Sequence, residues 1–128
     1  MIRRILLLVL GIIFLSFPQL YAAHLHPERV YQDQWCAKAG GVTEYVLDDG
    51  SRVDCLTDDY AIEFDFGPKW AEAIGQALYY GIRTARKPGV VLILEREHPA
   101  FQRRLFSVAA KYGIRVWFIR PEDLTADH

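Results

Sequence analysis

Cysteine is scarce in this sequence. Only Cys36 and Cys55 occur among its 128 residues, too few for a thiolate metal site. Repeats are absent as well: no segment recurs at a fixed period and no low-complexity tract interrupts the chain, which excludes array architectures. Basic charge is not in surplus. The chain carries 15 Lys and Arg against 16 Asp and Glu, and removal of residues 1–22 would take Arg3 and Arg4 with it. The 13 basic groups then left against 16 acidic ones give a net charge of −3. Bulk charge alone cannot hold nucleic acid on such a chain, so any such binding needs a local basic patch or metal ions. None of the four histidines has a partner at metal-ligand spacing. What is present is ordinary globular composition, 52% hydrophobic and 24% charged, in a length that supports one domain with one core.

The amino end stands apart. "MIRR" is a positively charged start, and "ILLLVLGIIFLSF" follows as thirteen apolar or small residues, broken by Pro18 and Gln19. "LYAA" then supplies small residues for cleavage after Ala22 or Ala23. That layout predicts a secretory signal peptide over residues 1–22. The alternative is an uncleaved anchor, but a spanning helix wants about 20 apolar residues and this run is shorter. No cysteine follows it closely, which argues against a lipoprotein signal. Export would place the protein in the periplasm or outside the cell, with no stable membrane insertion after cleavage. In an oxidising compartment Cys36 and Cys55 are expected to form one disulfide, closing a loop of about 20 residues worth roughly 3 kcal/mol. The bland alternative is two small buried residues that never meet.

The element order follows from periodicity and punctuation. "HPERVYQDQWCAKAGG" predicts a helix with Pro27 in its first turn, Val30, Tyr31, Trp35 and Ala39 on a broad apolar face, and Gly40-Gly41 as its stop. "VTEYVL" and "SRVDCL" flank "DDG", a hairpin signal with Gly50 available for a positive φ. "YAIEFDF" follows and is rich in strand formers. After Gly67-Pro68, "KWAEAIGQALYYGIRTARK" predicts a helix packed through Trp70, Ile74, Ala77, Leu78 and Gly81. "GVVLILE" is a strand buried on both faces, "PAFQRRLFSVAAKYG" a third helix, and "IRVWFI" a last strand. The tail, 121–128, is expected to be loose. The sum is an α/β fold with helices covering a mixed central sheet.

Acids interrupt the greasiest stretch. In "RVDCLTDDYAIEFDFGPKW" strand alternation puts Ile62, Phe64 and Phe66 on one face and Glu63 and Asp65 on the other. If Asp58-Asp59 form a two-residue turn, Asp54 lies directly opposite Glu63, with Cβ atoms about 5 Å apart. Three carboxylates so close repel, and one must keep its proton unless a cation neutralises them. A hard divalent ion with oxygen ligands, Mg²⁺ or Mn²⁺, resolves that conflict. A one-residue slip in register would separate the pair. On the next helix Lys69, Gln76, Tyr80 and Arg83 are spaced by seven, four and three, forming a polar stripe. If it overhangs the acids, Lys69 supplies a cation near water or phosphate; otherwise it is a solvated helix face. Arg83, Arg86 and Lys87 make a local basic group, with helix-end solvation as the plainer role of each. Glu44 reads first as a solvent-facing strand residue, with joining the site as the lesser alternative.

Between about Glu28 and Phe118 these residues resemble the PD-(D/E)XK nuclease superfamily. Its core is αβββαβ, a restriction-endonuclease-like order matching the one read above. Its metal-binding aspartate on the second core strand corresponds to Asp54 in "RVDCL", and its (D/E)-x-K element to "EFD" on the third. The glutamate that many members carry on the first helix corresponds to Glu28, and "QALYY" is similar to a Q-x-x-x-Y motif that falls on Gln76 and Tyr80. One position departs: Asp65 occupies the place of the catalytic lysine, and Lys69, four residues on, is the candidate substitute. The resemblance implies a domain over 27–120 that hydrolyses phosphodiester bonds in nucleic acid, DNA in particular. Asp54 and Glu63 would hold Mg²⁺ (or Mn²⁺), Lys69 would position water and offset charge, and Glu28 and Asp65 would complete the shell or hold a second ion. Gln76, Tyr80 and Arg83 would meet substrate. Two other readings stay open. One is a nuclease-fold module that binds nucleic acid or protein in the envelope without cutting. The other is a structural protein whose acids pair with Arg52 and Lys69.

Overall fold

The computed structural model describes residues 23–126; the expected signal peptide, 1–22, lies outside the described residues. The elements are α1 (Glu28–Lys38), β1 (Val42–Val46), β2 (Arg52–Leu56), β3 (Tyr60–Phe66), α2 (Trp70–Thr84), β4 (Lys87–Ile93), α3 (Pro99–Tyr112) and β5 (Arg115–Ile119). Their order is the one the sequence predicts. One five-stranded sheet runs β1-β2-β3-β4-β5, antiparallel from β1 to β3 and parallel from β3 to β5. The mixed α/β sandwich follows from the connections. Short turns join β1, β2 and β3, whereas each parallel step needs a helical crossover.

Those crossovers put α2 and α3 on one face, where Ala73, Ile74, Ala77, Leu105 and Ala109 pack on Val90 and Leu92. Helix α1 covers the other face, where Tyr31 and Cys36 pack with Ile62, Phe64, Val91 and Ile93. Strand β4 is therefore buried on both sides, as its continuous apolar run requires. Glycine caps close the turns that need left-handed backbone: Gly50 in the β1–β2 hairpin (φ 83°) and Gly113 after α3 (φ 67°).

Cys36 and Cys55 form a disulfide that ties α1 to β2, with Cα atoms 5.8 Å apart. Gly41 packs against it so closely that a Cβ there would lie 2.7 Å from one sulfur and 2.8 Å from the other. A disulfide fits an exported protein. Among the described residues, no helix is long and apolar enough to cross a membrane.

Two expectations need correction. Ala39 is the exposed cap of α1 rather than part of its apolar face, because the buried stripe runs through Tyr31, Gln32 and Cys36. The start of the tail is not loose: Pro121–Asp123 forms a 3₁₀ turn, and Thr125 donates its N–H to Gln34 Oε1 at 2.9 Å while its carbonyl accepts from Gln34 Nε2 at 3.1 Å. The histidine segment, for its part, is tied to the end of β4. Glu95, after β4, accepts hydrogen bonds from the Tyr31 hydroxyl at 2.9 Å and the His26 N–H at 3.1 Å, and meets His24 Nδ1 at 3.1 Å. The His24 ring stacks on Phe66, centroids 3.5 Å apart.

Candidate functional site

The β2–β3 turn decides the geometry. Cys55 pairs with Ile62 and Leu56 with Ala61, so Asp58 and Asp59 form the two-residue turn. The same register carried one step further sets Asp54 across from Glu63. Here the side chains replace the ladder. Asp54 Oδ2 accepts from the Phe64 N–H at 2.8 Å, and Glu63 Oε1 accepts from the Asp54 N–H at 3.4 Å. Alternation also breaks at this point, since Val53 and Leu56, three residues apart, share one cluster with Ala61 and Tyr80. Glu63 and Asp65 pair with Val90 and Leu92 in the parallel register, which places both acids on the face of β3 that continues into the α2–α3 core. They are 3% and 6% exposed.

Burial and mutual repulsion set the charge state. Glu63 is pushed far above the ordinary carboxylate range, first by burial, then by the charge of Asp54 and by sharing a proton with it. Asp54 is raised by burial, against the pull of the Phe64 N–H and of Glu63. Glu28, in the first turn of α1, rises to about 7 through burial and the charges of Asp54 and Asp65, with Lys69 opposing. Asp65 rises to about 6 through burial, again with Lys69 opposing. Desolvation is the leading cause in all four. Glu28, Asp54, Glu63, Asp65 and Lys69 thus lie in one electrostatic neighbourhood. Tyr80 borders it, its hydroxyl raised by burial and then by Glu63 and Asp54.

The polar stripe of α2 does not stay together. Lys69 caps the helix beside Asp65, and Tyr80 is buried in the Val53–Leu56–Ala61 cluster. Gln76 is exposed and makes no side-chain hydrogen bond among the described residues. Arg83 is exposed and lies with Arg86, Asp48 and Asp58 in a groove at the hairpin turn, with Asp49 as its charged neighbour. The β1–β2 hairpin brings its turn, with Asp48 and Asp49, rather than Glu44 or Asp54, to the last turn of α2.

One member of the neighbourhood escapes the sequence reading, and a second has there only a lesser place. Gln32, 2% exposed, donates from Nε2 to Glu44 Oε1 at 3.0 Å and to the Asp54 carbonyl at 2.8 Å. Glu44 is not a simple solvent-facing residue. It sits half-buried at φ 53°, across from Asp54 in the hairpin register, with Arg52 Nε 3.7 Å from Oε2. Both carried a signal. Gln32 follows Glu28 by four residues, one helical turn, and the hairpin register aligns Glu44 with Asp54. Glu44, Asp54 and Glu63 therefore form a row across three strands, with Arg52 at its outer end.

The donor set is all carboxylate oxygen, the chemistry of a hard divalent cation. Among the described residues, no three acidic, histidine or cysteine side chains meet at one point as a finished metal shell. The arrangement suits an ion that takes one or two carboxylates and fills its remaining positions with water and phosphate oxygens, as Mg²⁺ does. No family model matches the chain, and neither curated proteins nor solved structures yield a significant match.

Proposed function

We propose that this protein is an exported, Mg²⁺-dependent nuclease of the PD-(D/E)XK kind, acting on DNA in the periplasm or outside the cell. The observation that carries the reading is Asp54 facing Glu63 across β2 and β3, both desolvated and without a cationic partner within ion-pair distance among the described residues. A core selected for stability alone has no use for such a pair. Asp54 and Glu63 would hold the ion, with Glu28 beside them. Bound Mg²⁺ supplies polarisation of a phosphoryl oxygen and a more acidic water. Gln32 holds the backbone of Asp54 in place through its carbonyl. Lys69, exposed at the mouth of the acidic neighbourhood, offers its ammonium to water or to the charge that develops on phosphate. Glu28, poised at about 7, exchanges a proton readily at neutral pH.

One observation favours a second reading, a module that binds nucleic acid or protein without cutting. Asp65 is buried where the strand lysine of the superfamily would sit, and Lys69 makes no ion pair within 4 Å among the described residues. The test is incubation of the protein with plasmid, single-stranded DNA and RNA, with and without Mg²⁺ or Mn²⁺. The nuclease reading expects metal-dependent cleavage that falls by about 10³-fold or more in D54A and E63A, whose folds survive by circular dichroism. Undiminished cleavage by both variants removes the assignment. Metal-independent retention of DNA on a filter without any cleavage supports the binding module.

A further inference from the structure

A second concave site lies at the other end of β3 from Asp65. Two of the three tryptophans meet there: Trp35 from α1 and Trp117 from β5 have ring centroids 5.2 Å apart at 64°, and Tyr60, the first residue of β3, sits 5.2 Å from Trp117 at 84°. All three rings line a pocket of about 380 Å³, together with Asp58 and Asp59 of the β2–β3 turn. We propose that this pocket binds a small organic cation of the quaternary or methylated ammonium class.

The ring geometry is the first argument. Rings set steeply to one another turn π faces in more than one direction, which suits a rounded cation better than a flat ring needing one open platform. The second argument is charge. Asp58 and Asp59 form no ion pair among the described residues. Ala39 and Gly40 bring the carboxyl end of α1, the negative end of its dipole, to the same rim. Thirdly, the chain's own cations already seek these rings: Lys87 Nζ is 5.9 Å from the Tyr60 centroid and the Arg115 guanidinium 5.6 Å from that of Trp117. Neither Lys87 nor Arg115 lines the pocket.

The pocket is also built from below. Gly89 on β4 lies under Trp117, where a Cβ would stand 2.8 Å from the indole Cζ3 and 3.1 Å from Ile62 Cγ1. Glycine therefore lets the indole lie against the sheet and hold its angle to Trp35 and Tyr60. None of the carboxylates of the Asp54–Glu63 neighbourhood lines this site, so it stands or falls apart from the nuclease reading.

The experiment is a ¹H–¹⁵N titration of the full exported chain with choline, read at the three tryptophan indole N–H signals. The resonances of Trp35 and Trp117 are expected to shift saturably, while that of Trp70, packed in the α2–α3 core, stays still. The neutral isostere 3,3-dimethylbutanol should bind about 10-fold more weakly, because it keeps the shape and loses the cation–π attraction. The D58N/D59N double variant, at an exposed turn, should weaken choline by about 3- to 10-fold. W35L should abolish binding, and should that variant fail to fold, the turn variant and the isostere still decide. Equal affinity for choline and its isostere overturns the proposal, as does the absence of saturable shifts. Saturable shifts with glucose but not choline overturn it too and assign the pocket to a sugar.

Discussion

Strands β3 and β4 lie side by side in parallel register and make opposite choices at matching positions. Glu63 is paired with Val90 and Asp65 with Leu92, on the same face and at similar burial. The aliphatic members of these pairs join the α2–α3 core. The acidic members bring desolvated carboxylates, one of which keeps its proton. Hydrophobic burial explains β4 entirely and β3 only on its other face, where Ile62 and Phe64 pack under α1. The contrast isolates the acids as the part of the sheet that stability does not account for.

The sharpest way to break the comparison is to move an acid across it. Leu92→Asp adds a carboxylate to a fully buried site that has no partner for it, and should destabilise the protein by about 4 kcal/mol or more in urea unfolding. If that variant melts like the parent, the sheet tolerates acids indiscriminately and those of β3 lose their meaning.

Next in size is the acid that stands opposite Asp54. Its folded-state affinity for protons exceeds that of the unfolded chain, so stability is greatest below the unfolded carboxylate pKa and declines as pH rises from about 4.5 toward the folded value. Glu28, raised to about 7, and Asp65, raised to about 6, add declines over about 4.5–7 and 3.8–6. Without divalent ions the melting temperature should therefore rise as pH is lowered from 8 to 5. Glu63→Gln should flatten that slope and stabilise the protein by about 1–3 kcal/mol at pH 8. Added Mg²⁺ should raise the melting temperature of the parent at pH 8 and leave that of the glutamine variant unchanged. A pH-independent melting curve would show that these carboxylates are not desolvated.

The smallest effect concerns the support beneath the acids. Gln32→Leu keeps the volume, removes hydrogen bonds to Glu44 and to the Asp54 carbonyl, and should cost about 1–2 kcal/mol. On the nuclease reading, metal-dependent cleavage should fall more than stability does. Parallel losses would mark Gln32 as a packing residue only.

How much of this the sequence discloses depends on the distance over which each feature is encoded. Strand β3 is legible to the residue, because "YAIEFDF" lies between a two-aspartate turn and Gly67-Pro68. That same turn fixes the register that brings Asp54 to Glu63. Features set by tertiary twist are not legible. The spacing of Lys69, Gln76, Tyr80 and Arg83 describes one helix face correctly, but the hairpin packed beside it divides that face between a buried tyrosine, an exposed glutamine and a distant arginine. Glu44 defeats simple alternation because its positive φ turns a strand residue out of pattern. Gln32 lies outside the apolar face that the sequence marks on α1, and only the packed fold buries it.

The bond between Cys36 and Cys55 leaves a mark on where the molecule can do its work. Cys36 follows Gln32 by one helical turn, and Cys55 is the next residue after Asp54. Among the described residues it is the one covalent link between the helix bearing Glu28 and the strand bearing Asp54. A chain among reduced thiols lacks that link, so the acidic row receives its last brace only in an oxidising environment.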